Sequence, residues 1–393
     1  MTASIGIVAG EASGDLLGAG LMRALGRRIG GVRFTGVGGA AMLAQGLEPL
    51  GSMETLAVNA FRDPLLRLPR ILGLFATLRR RFLAEPPDVF VGVDCNVFNL
   101  SLERTLKARG IPTVHYVSPS VYAWRRGRVR RIGRSADRLL ALFPFDEPHY
   151  AGTDTEVVFV GHPLADAIEP DAGGDAGRRA ARRALGLAGH GRVIALLPGS
   201  RAGELRLMLD SFLRAADLLG ESLRDTAFVI PCPGPSLAVL VEEKLLAWPG
   251  LSCSVHHGDA RLPLTACDAA LVKSGTGTLE AMLLRRPMVV TYRLGSLAWR
   301  LARMFVHTDF VALPNLLAGR ALVPELLQDA ATPAALAESL LAELDKSARH
   351  PDYLREFSAL HERLRRNADE RAADAVAGLL PNAMERATSP PPS

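Results

Sequence analysis

Two junctions between an apolar strand and a glycine turn constrain the fold of this chain more than any other feature. The first lies near the N-terminus, where the run Ile5–Ala9 leads into Gly10-Glu-Ala-Ser-Gly-Asp15. The second lies near the middle, where the run from Val193 leads into Leu197-Pro-Gly-Ser-Arg201. Such junctions are typical of open parallel sheets, which bind ligands at the carboxyl ends of their strands. They predict two α/β domains with a ligand cleft between them.

The length and the strand pattern of the chain support this division. At 393 residues the chain exceeds what one hydrophobic core usually serves. Strand-like runs alternate with helix-like stretches in each half, which is the order that parallel βαβ units require. The runs lie at 4–9, 32–37, 88–93, 112–117, 138–143 and 156–160, and then at 193–197, 226–231, 251–255, 268–272 and 287–292.

The predicted domain boundaries follow from the places where the strand series stops and resumes. Residues 1–168 form the first predicted domain and residues 169–345 the second, which begins with a linker at 170–191 that holds one short helix. Helices within 346–380 are expected to return to the first domain. The proline-rich end predicts a disordered tail at 384–393. Both domains are expected to be α/β, with parallel sheets and helices on both faces.

The composition of the chain indicates the cellular compartment and the charge of the ligands that the protein could bind. The four cysteines form neither a CxxC pair nor a closely spaced framework, which argues against a zinc site or a disulfide scaffold and favours a reducing compartment. No segment resembles a signal peptide, and no apolar run approaches the roughly 18 residues that span a bilayer. We therefore expect a cytoplasmic protein, either soluble or held on a membrane face. The formal charge of +5 permits an anionic partner without requiring one.

A candidate phosphate site follows the apolar run that ends at Lys273. Small residues turn the chain into a helix there, so backbone N–H groups and the positive helix end would face a bound anion. The turn matches neither a Walker motif nor a GxGxxG fingerprint, which argues against a P-loop or an NAD domain. Glu280 would either cap the first helical turn or bind a ribose diol. The candidate binding residues are Ser274, Gly275, Thr276, Gly277, Thr278 and Glu280.

The turn formed by Gly199, Ser200 and Arg201 is the second candidate element of this site. It follows the neighbouring predicted strand, so its arginine is expected at the same edge of the sheet. Arginine suits a diphosphate because its planar guanidinium donates two hydrogen bonds at once. A solvated loop arginine is the alternative interpretation.

The first predicted domain offers a candidate general base at the end of a strand. Asp94 follows the apolar run that ends at Val93, so its carboxylate is expected at the ligand edge of the sheet. There it would either take a proton from an attacking hydroxyl group or cap the following turn. Glu11 and Asp15 of the first glycine turn are the next candidates for the base.

Two arginine-flanked segments are candidates for contact with a membrane. Between residues 69 and 83 an apolar stripe covers about half of a helix, with arginines opposite, as in a helix that lies in a headgroup layer. Residues 125–134 carry six arginines around a narrow apolar stripe. Core packing is the alternative for the first segment, and an ordinary surface helix for the second. The predicted membrane-surface residues are Leu72, Phe75, Phe82, Arg125, Arg126 and Arg128.

The glycine turns belong to a series of motifs that continues along the chain. The series is Gly10-Glu-Ala-Ser-Gly-Asp15, Gly36-Val-Gly-Gly39, Val117-Ser-Pro-Ser-Val-Tyr-Ala-Trp-Arg125, Phe159-Val-Gly-His-Pro163, Leu197-Pro-Gly-Ser-Arg201, Ser274-Gly-Thr-Gly-Thr-Leu-Glu280 and Leu313-Pro-Asn-Leu-Leu317. These motifs are collinear, and they resemble those of the lipid-A-disaccharide synthase family. The resemblance extends from residue 5 to about residue 330.

This resemblance implies a GT-B glycosyltransferase, in which two Rossmann-like domains face a cleft. Such an enzyme joins UDP-2,3-diacylglucosamine to 2,3-diacylglucosamine 1-phosphate with inversion, and it gives a β-1,6-linked disaccharide 1-phosphate and UDP. It works peripherally on the anionic cytoplasmic face of the inner membrane. By motif, Arg201, Glu280 and Asn315 fall on UDP-binding positions, and Asp94 falls on the aspartate considered as general base. The residues expected on the acceptor side or in the cleft are Glu11, Ser13, Gly14, Asp15, Ser118 and Ser120.

Three details qualify the expected chemistry. Val97 fills a place where the family often carries a second acidic residue, which concentrates the base hypothesis on Asp94. Nothing resembles the acidic DxD pair that holds a cation in metal-dependent transferases, so we expect neither a metal nor a cofactor. The sequence leaves a homodimer open.

Two alternative functions remain open at this point. A UDP-N-acetylglucosamine epimerase shares the two-domain plan and the UDP site, but it would have no use for an apolar surface at 61–83. A non-catalytic protein could instead bind anionic lipid or nucleic acid through residues 125–134. Against nucleic acid, this arginine cluster lacks interleaved aromatic residues and follows no recognised nucleic-acid fold, so we expect no nucleic-acid partner.

Overall fold

The computed structural model describes residues 2–56, 64–119, 129, 132–187, 191–295, 299, 308–349 and 352–380. The chain divides into two compact units. The first consists of Met1–Asp166 together with Leu364–Ser393, and the second of Ala167–Arg363. The predicted tail at 384–393 lies outside the described residues.

Each unit is built on a parallel sheet. The strands of the first are β1 Ala3–Ala9, β2 Val32–Val37, β3 Leu47–Pro49, β4 Val89–Val93, β5 Thr113–Tyr116, β6 Arg138–Ala141 and β7 Glu156–Phe159, in the order β3-β2-β1-β4-β5-β6-β7. Those of the second are β8 Arg192–Leu197, β9 Thr226–Cys232, β10 Cys253–His257, β11 Ala269–Lys273, β12 Met288–Tyr292 and β13 Glu325–Leu327, in the order β10-β9-β8-β11-β12-β13. The prediction missed β3 and β13, because three-residue strands give no apolar run.

Helices connect these strands and cover the sheets. In the described residues they are α1 Ala12–Ile29, α2 Ala40–Leu43, α3 Pro64–Ala84, α4 Asn96–Lys107, α5 Pro163–Ala167, α6 Asp175–Ala184, α7 Ala202–Ser222, α8 Pro235–Leu245, α9 Arg261–Ala266, α10 Thr276–Leu283, α11 Leu313–Ala318, α12 Pro333–Arg349, α13 Asp352–Leu364 and α14 Ala368–Ala377. No helix in the part of the chain that the structure describes combines the length and the apolar character needed to cross a membrane.

Alternating side chains of β1 supply two cores in the first unit. Ile5 and Ile7 are buried in a layer that α1 and α14 complete, and this layer includes Leu21. Val8 points to the opposite face, where α3 and α4 bury side chains such as Phe82. Both faces of the sheet are therefore covered by helices, as the sequence predicted.

The second unit follows the same plan. One face of its sheet packs against α7, α8 and α12, whose buried residues include Phe212, Val241 and Leu340. The helices α9 and α10 contribute fully buried side chains of their own, among them Leu264 and Leu279. The predicted fold class, two α/β domains with parallel sheets, is confirmed.

The last helix returns to the first unit, but later in the chain than predicted. In α14, Ala373 and Val376 are buried in the same core as α1, and Arg27 forms a salt bridge with Glu370. The unit boundary lies at residues 363 and 364. Of the helices within the predicted range 346–380, α14 belongs to the first unit, whereas α13 as far as Arg363 belongs to the second.

The physical reason for this difference is that α13 is tied to the second unit. Its Arg363 side chain donates from Nη1 to the carbonyl oxygen of Leu317 at 3.4 Å. Its Glu356 forms a salt bridge with Arg320. The helical pattern of the sequence continues across this boundary, so it does not show which unit each helix packs against.

Part of the stripe on α3 that suggested a membrane surface belongs to the core. Phe82 is only 2% exposed, and its ring lies edge-on to that of Phe90 with centroids 5.4 Å apart. Phe75 is half-buried and meets Phe98 in the same way at 5.6 Å. The interpretation of Phe82 as membrane-facing is wrong, because its ring fills the space between α3 and the sheet beneath it, whereas that of the half-buried Phe75 stays a prediction. Leu72, which is 57% exposed, remains on the surface.

The second membrane candidate can be assessed only at its edges. Arg125, Arg126 and Arg128 lie outside the described residues, as does the predicted cleft residue Ser120. Val129 and Ile132, from the apolar stripe of the same segment, are buried in a small cluster with Leu139 and Tyr150. That stripe therefore packs into the first unit.

Candidate functional site

Both sheets change their strand order at one point, and the candidate residues gather there. In the second unit β8 lies between β9 and β11, so the loops that follow β8 and β11 leave the same edge side by side. In the first unit β1 lies between β2 and β4 in the same way. Open parallel sheets bind their ligands at such switch points.

A pocket of about 340 Å³ opens at the switch point of the second unit. This volume lies within the range of sites for small ligands. The pocket brings together most of the predicted binding residues, namely Gly199, Ser200, Arg201, Ser274, Gly275, Thr276, Gly277 and Glu280. It also includes Glu204 and Lys273, which the sequence analysis did not assign to the site.

The first turn of α10 supplies hydrogen-bond donors to this pocket. The helix begins at Thr276, and among the described residues no side chain caps it at Gly275. The first N–H groups of a helix have no acceptor within the helix, and the helix dipole adds partial positive charge at this end. Gly275 and Thr276 are both exposed, so this turn is open to an anion such as a diphosphate.

Two hydroxyl groups that were predicted to bind the ligand instead tie α10 to the segment before α11. Thr278 is fully buried, and its Oγ1 donates to the carbonyl oxygen of Gly275 at 2.8 Å and accepts from the N–H of Leu313 at 3.4 Å. Ser274 Oγ donates to the carbonyl oxygen of Val311 at 2.7 Å. Ser274 lies in the pocket wall and Thr278 lies behind it, so the predicted ligand contact of Thr278 stays a prediction.

Asn315 joins the start of α11 to the segment of residues 322–325. Its Nδ2 donates to the carbonyl oxygen of Val323 at 2.9 Å and to Glu325 Oε1 at 2.7 Å. Its Oδ1 accepts from the N–H groups of Leu322 and Val323 at 2.7 and 2.8 Å. These four bonds use the full capacity of a fully buried amide. A side-chain bond to a nucleotide would exchange one of these four, and the predicted UDP contact of Asn315 stays a prediction.

A salt bridge within the pocket joins its two loops. Lys273 Nζ lies 2.9 Å from Glu204 Oε1, and Glu204 Oε2 accepts from the N–H of Ser200 at 3.1 Å. Burial raises the pKa of Glu204, but the bonds from Lys273 and Ser200 outweigh burial and hold that pKa below its usual value. Gly199 has a φ of 144°, and a Cβ there would lie 2.5 Å from the Cβ of Glu204, so this approach requires glycine.

Arg201 and Glu280 contribute opposite charges to the pocket. Arg201 is exposed and directly precedes α7. Burial, with a smaller effect of Asp259, raises the pKa of the Glu280 carboxyl group to about 7 against the opposing effect of Arg261. Glu280 therefore changes its charge near neutral pH, and its ionised form accepts hydrogen bonds from hydroxyl groups.

The loops after β1 and β4 touch at the switch point of the first unit. A Cβ at Gly10 would lie 2.7 Å from Sγ of Cys95. Burial, followed by smaller effects of Asp94 and Glu11, raises the pKa of the Cys95 thiol to about 11. Both carboxyl groups thus lie near the same thiol at this switch point.

The Asp94 carboxylate does not cap the helix that follows it. The N-cap position of α4 is Cys95, and no side chain within the described residues caps that helix. The backbone at Asp94 and Cys95 is left-handed, with φ of 50° and 45°, and Asn99 Nδ2 holds the turn by donating to the Asp94 carbonyl oxygen at 2.8 Å. Asn96 Nδ2 donates to Asp94 Oδ1 at 3.3 Å. Asp94 thus accepts a bond from the side chain of the following turn without capping α4, and both its interpretation as a base and its interpretation as a turn residue stay predictions.

Asp15 has a structural role at the start of α2. Its buried carboxylate accepts from the N–H groups of Gly39, Ala41 and Met42 at 2.7, 2.9 and 3.0 Å, and it thereby caps α2. These three donors use most of the acceptor capacity of the carboxylate, and the predicted place of Asp15 beside a ligand stays a prediction. The other predicted residues of this turn, which lie at the start of α1, are Glu11, Ser13 and Gly14.

An acid that the sequence analysis missed lies near Ser118, just after β5. Ser118 Oγ lies 3.1 Å from the hydroxyl oxygen of Tyr150. Burial raises the pKa of Asp146 to about 7, although a hydrogen bond from Ser118 opposes this shift. The carboxyl group is only 3% exposed, and in its neutral form it can donate as well as accept.

Proximity in the sequence was the available signal for the missed residues of the second unit. Lys273 directly precedes Ser274, and Glu204 follows Arg201 by one helical turn. Asp146 had no such signal, since it lies in a loop without a recognised motif. Within the described residues, no group of three or more His, Cys, Asp or Glu side chains could hold a metal ion.

Comparison with known proteins identifies the family. A family model described as lipid-A-disaccharide synthetase matches residues 5–376 of the chain. A lipid-A-disaccharide synthase from Sodalis glossinidius is 48% identical over 380 residues, which cover 96% of this chain and 98% of that protein. The chain belongs to the lipid-A-disaccharide synthase family. It is therefore an enzyme of the glycosyltransferase class that serves lipid A and lipopolysaccharide synthesis.

Solved structures show the same fold at low identity. A glycotransferase of kitacinnamycin has a TM-score of 0.64 at 19% identity and covers 97% of this chain and 100% of its own. A UDP-N-acetylglucosamine 2-epimerase from Listeria monocytogenes, described as putative, has a TM-score of 0.62 at 14% identity, with 98% of each chain covered. The GT-B fold of the lipid-A-disaccharide synthase family is thus confirmed. Because epimerases share this fold, the family match is what favours a glycosyltransferase.

Proposed function

We propose that this member of the lipid-A-disaccharide synthase family joins UDP-2,3-diacylglucosamine to 2,3-diacylglucosamine 1-phosphate with inversion. The products are the β-1,6-linked disaccharide 1-phosphate and UDP. The pocket of the second unit carries this proposal, because it combines the first turn of α10 with Arg201, Lys273 and Glu280. A nucleoside diphosphate has two anionic phosphates and a ribose diol, and the pocket offers donors for the former and an acceptor for the latter.

In this proposal the second unit stabilises the leaving group. The bond between the anomeric carbon and the diphosphate oxygen breaks, and its electron pair stays with UDP. The N–H groups at the start of α10 and the Arg201 guanidinium group stabilise the growing negative charge. Lys273, which Glu204 holds at the pocket, adds a further positive charge.

The first unit supplies the base in the same proposal. The 6-hydroxyl oxygen of the acceptor attacks the anomeric carbon as the bond to UDP breaks, and Asp94 takes the hydroxyl proton. A single displacement inverts the configuration at that carbon. Two observations support Asp94: its side chain is not used as a helix cap, and it lies at the ligand edge of the first sheet.

We also propose that the protein binds peripherally to the anionic cytoplasmic face of the inner membrane. Both proposed substrates carry acyl chains, so the enzyme must meet them at a lipid surface. On α3, Leu68 and Leu72 are 48% and 57% exposed, and Arg79 and Arg80 are exposed on the same helix. Exposed leucines with neighbouring arginines suit a helix that contacts headgroups.

Incubation of the purified full-length chain with both substrates in detergent micelles tests this function. Mass spectrometry should detect the disaccharide 1-phosphate and UDP in equal amounts, and only when donor and acceptor are both present. The anomeric coupling constant of the new linkage in the NMR spectrum reports the configuration. UDP release without acceptor, or an α-linked product, would contradict the proposal.

A further inference from the structure

A line of hydrogen bonds runs from the core of the first unit to Asp94. His115 on β5 and Glu103 on α4 are both completely buried, and His115 Nδ1 lies 2.7 Å from Glu103 Oε1. His115 Nε2 lies 3.0 Å from Oδ1 of Asn96. The Nδ2 of the same amide donates to Asp94 Oδ1 at 3.3 Å. Three side chains thus connect the buried core to one oxygen of the proposed base.

Because the line of hydrogen bonds ends at Asp94, the carboxylate determines which atom donates in each of these bonds. An ionised Asp94 can only accept, so the Asn96 amide group turns its Nδ2 to Asp94 and its Oδ1 to His115. His115 must then donate from Nε2. With Nε2 protonated, His115 Nδ1 either accepts the acid proton of Glu103 or carries a proton that Glu103 accepts. In both cases the pair of Glu103 and His115 holds one proton between them.

Burial keeps that proton within the pair. Burial raises the pKa of Glu103, although the neighbouring His115 acts in the opposite direction. Glu103 Oε2 is buried and has no hydrogen-bond partner among the described residues. An anionic Glu103 beside a neutral imidazole would therefore be an uncompensated buried charge, which is costly. The pair is neutral overall, and His115 Nε2 remains a donor.

The space for this pair is built into β4. A Cβ at Gly92 would lie 2.1 Å from Glu103 Oε1 and 2.8 Å from the Cβ of Asn99. A glycine in the middle of a strand weakens the strand and often marks a close approach by another group. Here the group that approaches is the buried carboxyl group of Glu103.

We propose that Glu103, His115 and Asn96 are positioning residues for Asp94. The buried pair fixes the orientation of the Asn96 amide, and the amide holds Asp94 Oδ1, so that Oδ2 takes the acceptor proton. Asn99 holds the backbone of the same turn through the Asp94 carbonyl oxygen. This inference rests on the proposed role of Asp94 as the base. Bases held in a fixed geometry react faster, because no orientation has to be found during the reaction.

Steady-state kinetics of the full-length chain and three variants test this role. Asn96→Ala removes the donor to Asp94, and His115→Phe removes the group that orients the donor. Each should lower kcat by about 10–100-fold, as expected for a lost hydrogen bond to a charged group, with both KM values within about twofold. Glu103→Gln should keep kcat within about threefold, because a glutamine amide donates to Nδ1 as a neutral acid does. Ser101→Ala, which removes an exposed bond to the Val97 carbonyl oxygen on the same helix, is the matched control.

The Asp94→Asn background separates this inference from the function on which it rests. If Asn96 acts through Asp94, Asn96→Ala should lower kcat no further in that background. A full multiplicative loss would overturn the inference, as would an unchanged kcat in Asn96→Ala or a rise in KM alone. If His115→Phe does not fold, the kinetics of Asn96→Ala, a substitution at a half-buried position, decide the outcome. A fully active Asp94→Asn would instead reject the base, and the absence of any disaccharide from the native chain would reject the function.

Discussion

The two switch points share a backbone plan but differ in the charged groups that they carry. The loops after β1 and β4 bring Glu11 and Asp94 close to the Cys95 thiol. The loops after β8 and β11 bring Arg201 and Lys273 to the first turn of α10. The sheet therefore determines where a ligand binds, whereas the side chains determine which ligand binds and which proton moves.

The backbones of the two switch points also differ in how they make their turns. In the second unit, glycines take the unusual conformations, with φ of 144° at Gly199 and 150° at Gly275. In the first unit two residues with side chains, Asp94 and Cys95, take left-handed conformations at φ of 50° and 45°. Such a conformation costs roughly 1–2 kcal/mol for each residue that is not glycine, and Asn99 offsets part of that cost. The turn at Asp94 and Cys95 in the first unit is thus strained, and it carries the carboxylate of Asp94.

Loss of the negative charge at Asp94 should have the largest effect. Asp94→Asn keeps the shape and suits the left-handed backbone, but it removes the base, so kcat should fall by about 10²–10⁴-fold. Donor affinity and melting temperature should hardly change. Asp154→Asn, an exposed carboxylate of the same unit, is the control. If Asp94→Asn retains more than about a tenth of the native kcat, another group is the base. The first switch point would then not differ from the second by supplying the base.

Loss of positive charge at the second switch point should weaken UDP binding. Arg201→Ala removes a charge-assisted donor, so the free energy of UDP binding should become less favourable by about 1–3 kcal/mol. Isothermal titration calorimetry measures this change, and Arg214→Ala, on the exposed side of α7, is the control. Equal UDP affinity in Arg201→Ala and the native chain would show that this switch point does not hold the diphosphate.

The pH dependence of donor binding should sharpen the same comparison. The pKa of Glu280 is raised to about 7, so its carboxyl group ionises as the pH rises through neutrality. Only the ionised form accepts from both ribose hydroxyl groups, so donor affinity should rise by up to about tenfold between about pH 6 and about pH 8. Glu280→Gln should abolish this dependence. Affinity that falls over the same range would contradict a carboxylate contact with the ribose.

The same shift predicts an effect on stability with a definite sign. The pKa of Glu280 is higher in the folded chain than in the unfolded chain, so between its ordinary value of 4.5 and about 7 only the unfolded state releases the proton. Glu280 therefore reduces the free energy of unfolding as the pH rises through this window. Chemical denaturation of Glu280→Gln should show a gain in stability at neutral pH and none below the ordinary pKa.

The smallest expected effect concerns the exposed part of α3. Leu72→Ser removes one exposed apolar side chain, so binding to anionic vesicles should weaken by about 1–2 kcal/mol while the melting temperature stays the same. Phe82→Ser provides the contrast, because this buried ring should affect stability and not vesicle binding by the folded protein. Unchanged sedimentation of Leu72→Ser with vesicles would place the membrane contact elsewhere.

The sequence predicted the positions of the loops better than the roles of their side chains. The strands that lead to Asp94 and Ser274 are apolar runs of ordinary length, so the pattern alone predicted that both residues follow a strand. The strand order, and with it the two switch points, came from the structure. Asn315 and Thr278 both lie in motifs. In the structure, however, Asn315 bonds to Glu325 and Thr278 to Leu313, so these side chains join separate segments of the protein. A motif shows that a residue matters without showing whether it contacts the ligand or holds its neighbours.

Tertiary packing explains the other differences. The stripe on α3 has the same amphipathic pattern whether its rings meet lipid or the protein core, and only the contact of Phe82 with Phe90 distinguishes the two. The buried pair of Glu103 and His115 forms between α4 and β5, which no spacing rule connects. Such pairs become visible only when the strand order is known.

The return of α14 to the first unit affects how this chain can be made. Strands β1 to β7 are synthesised long before residues 368–377, so the sheet face that α14 covers must wait until the whole second unit has been translated. During that interval apolar side chains such as Leu25 and Val114 lack part of their final cover. Unfinished sheets with exposed apolar surface are prone to association, so we expect the nascent first unit to associate more readily than the complete chain. The first unit also cannot be expressed as one continuous fragment without losing a helix of its own core.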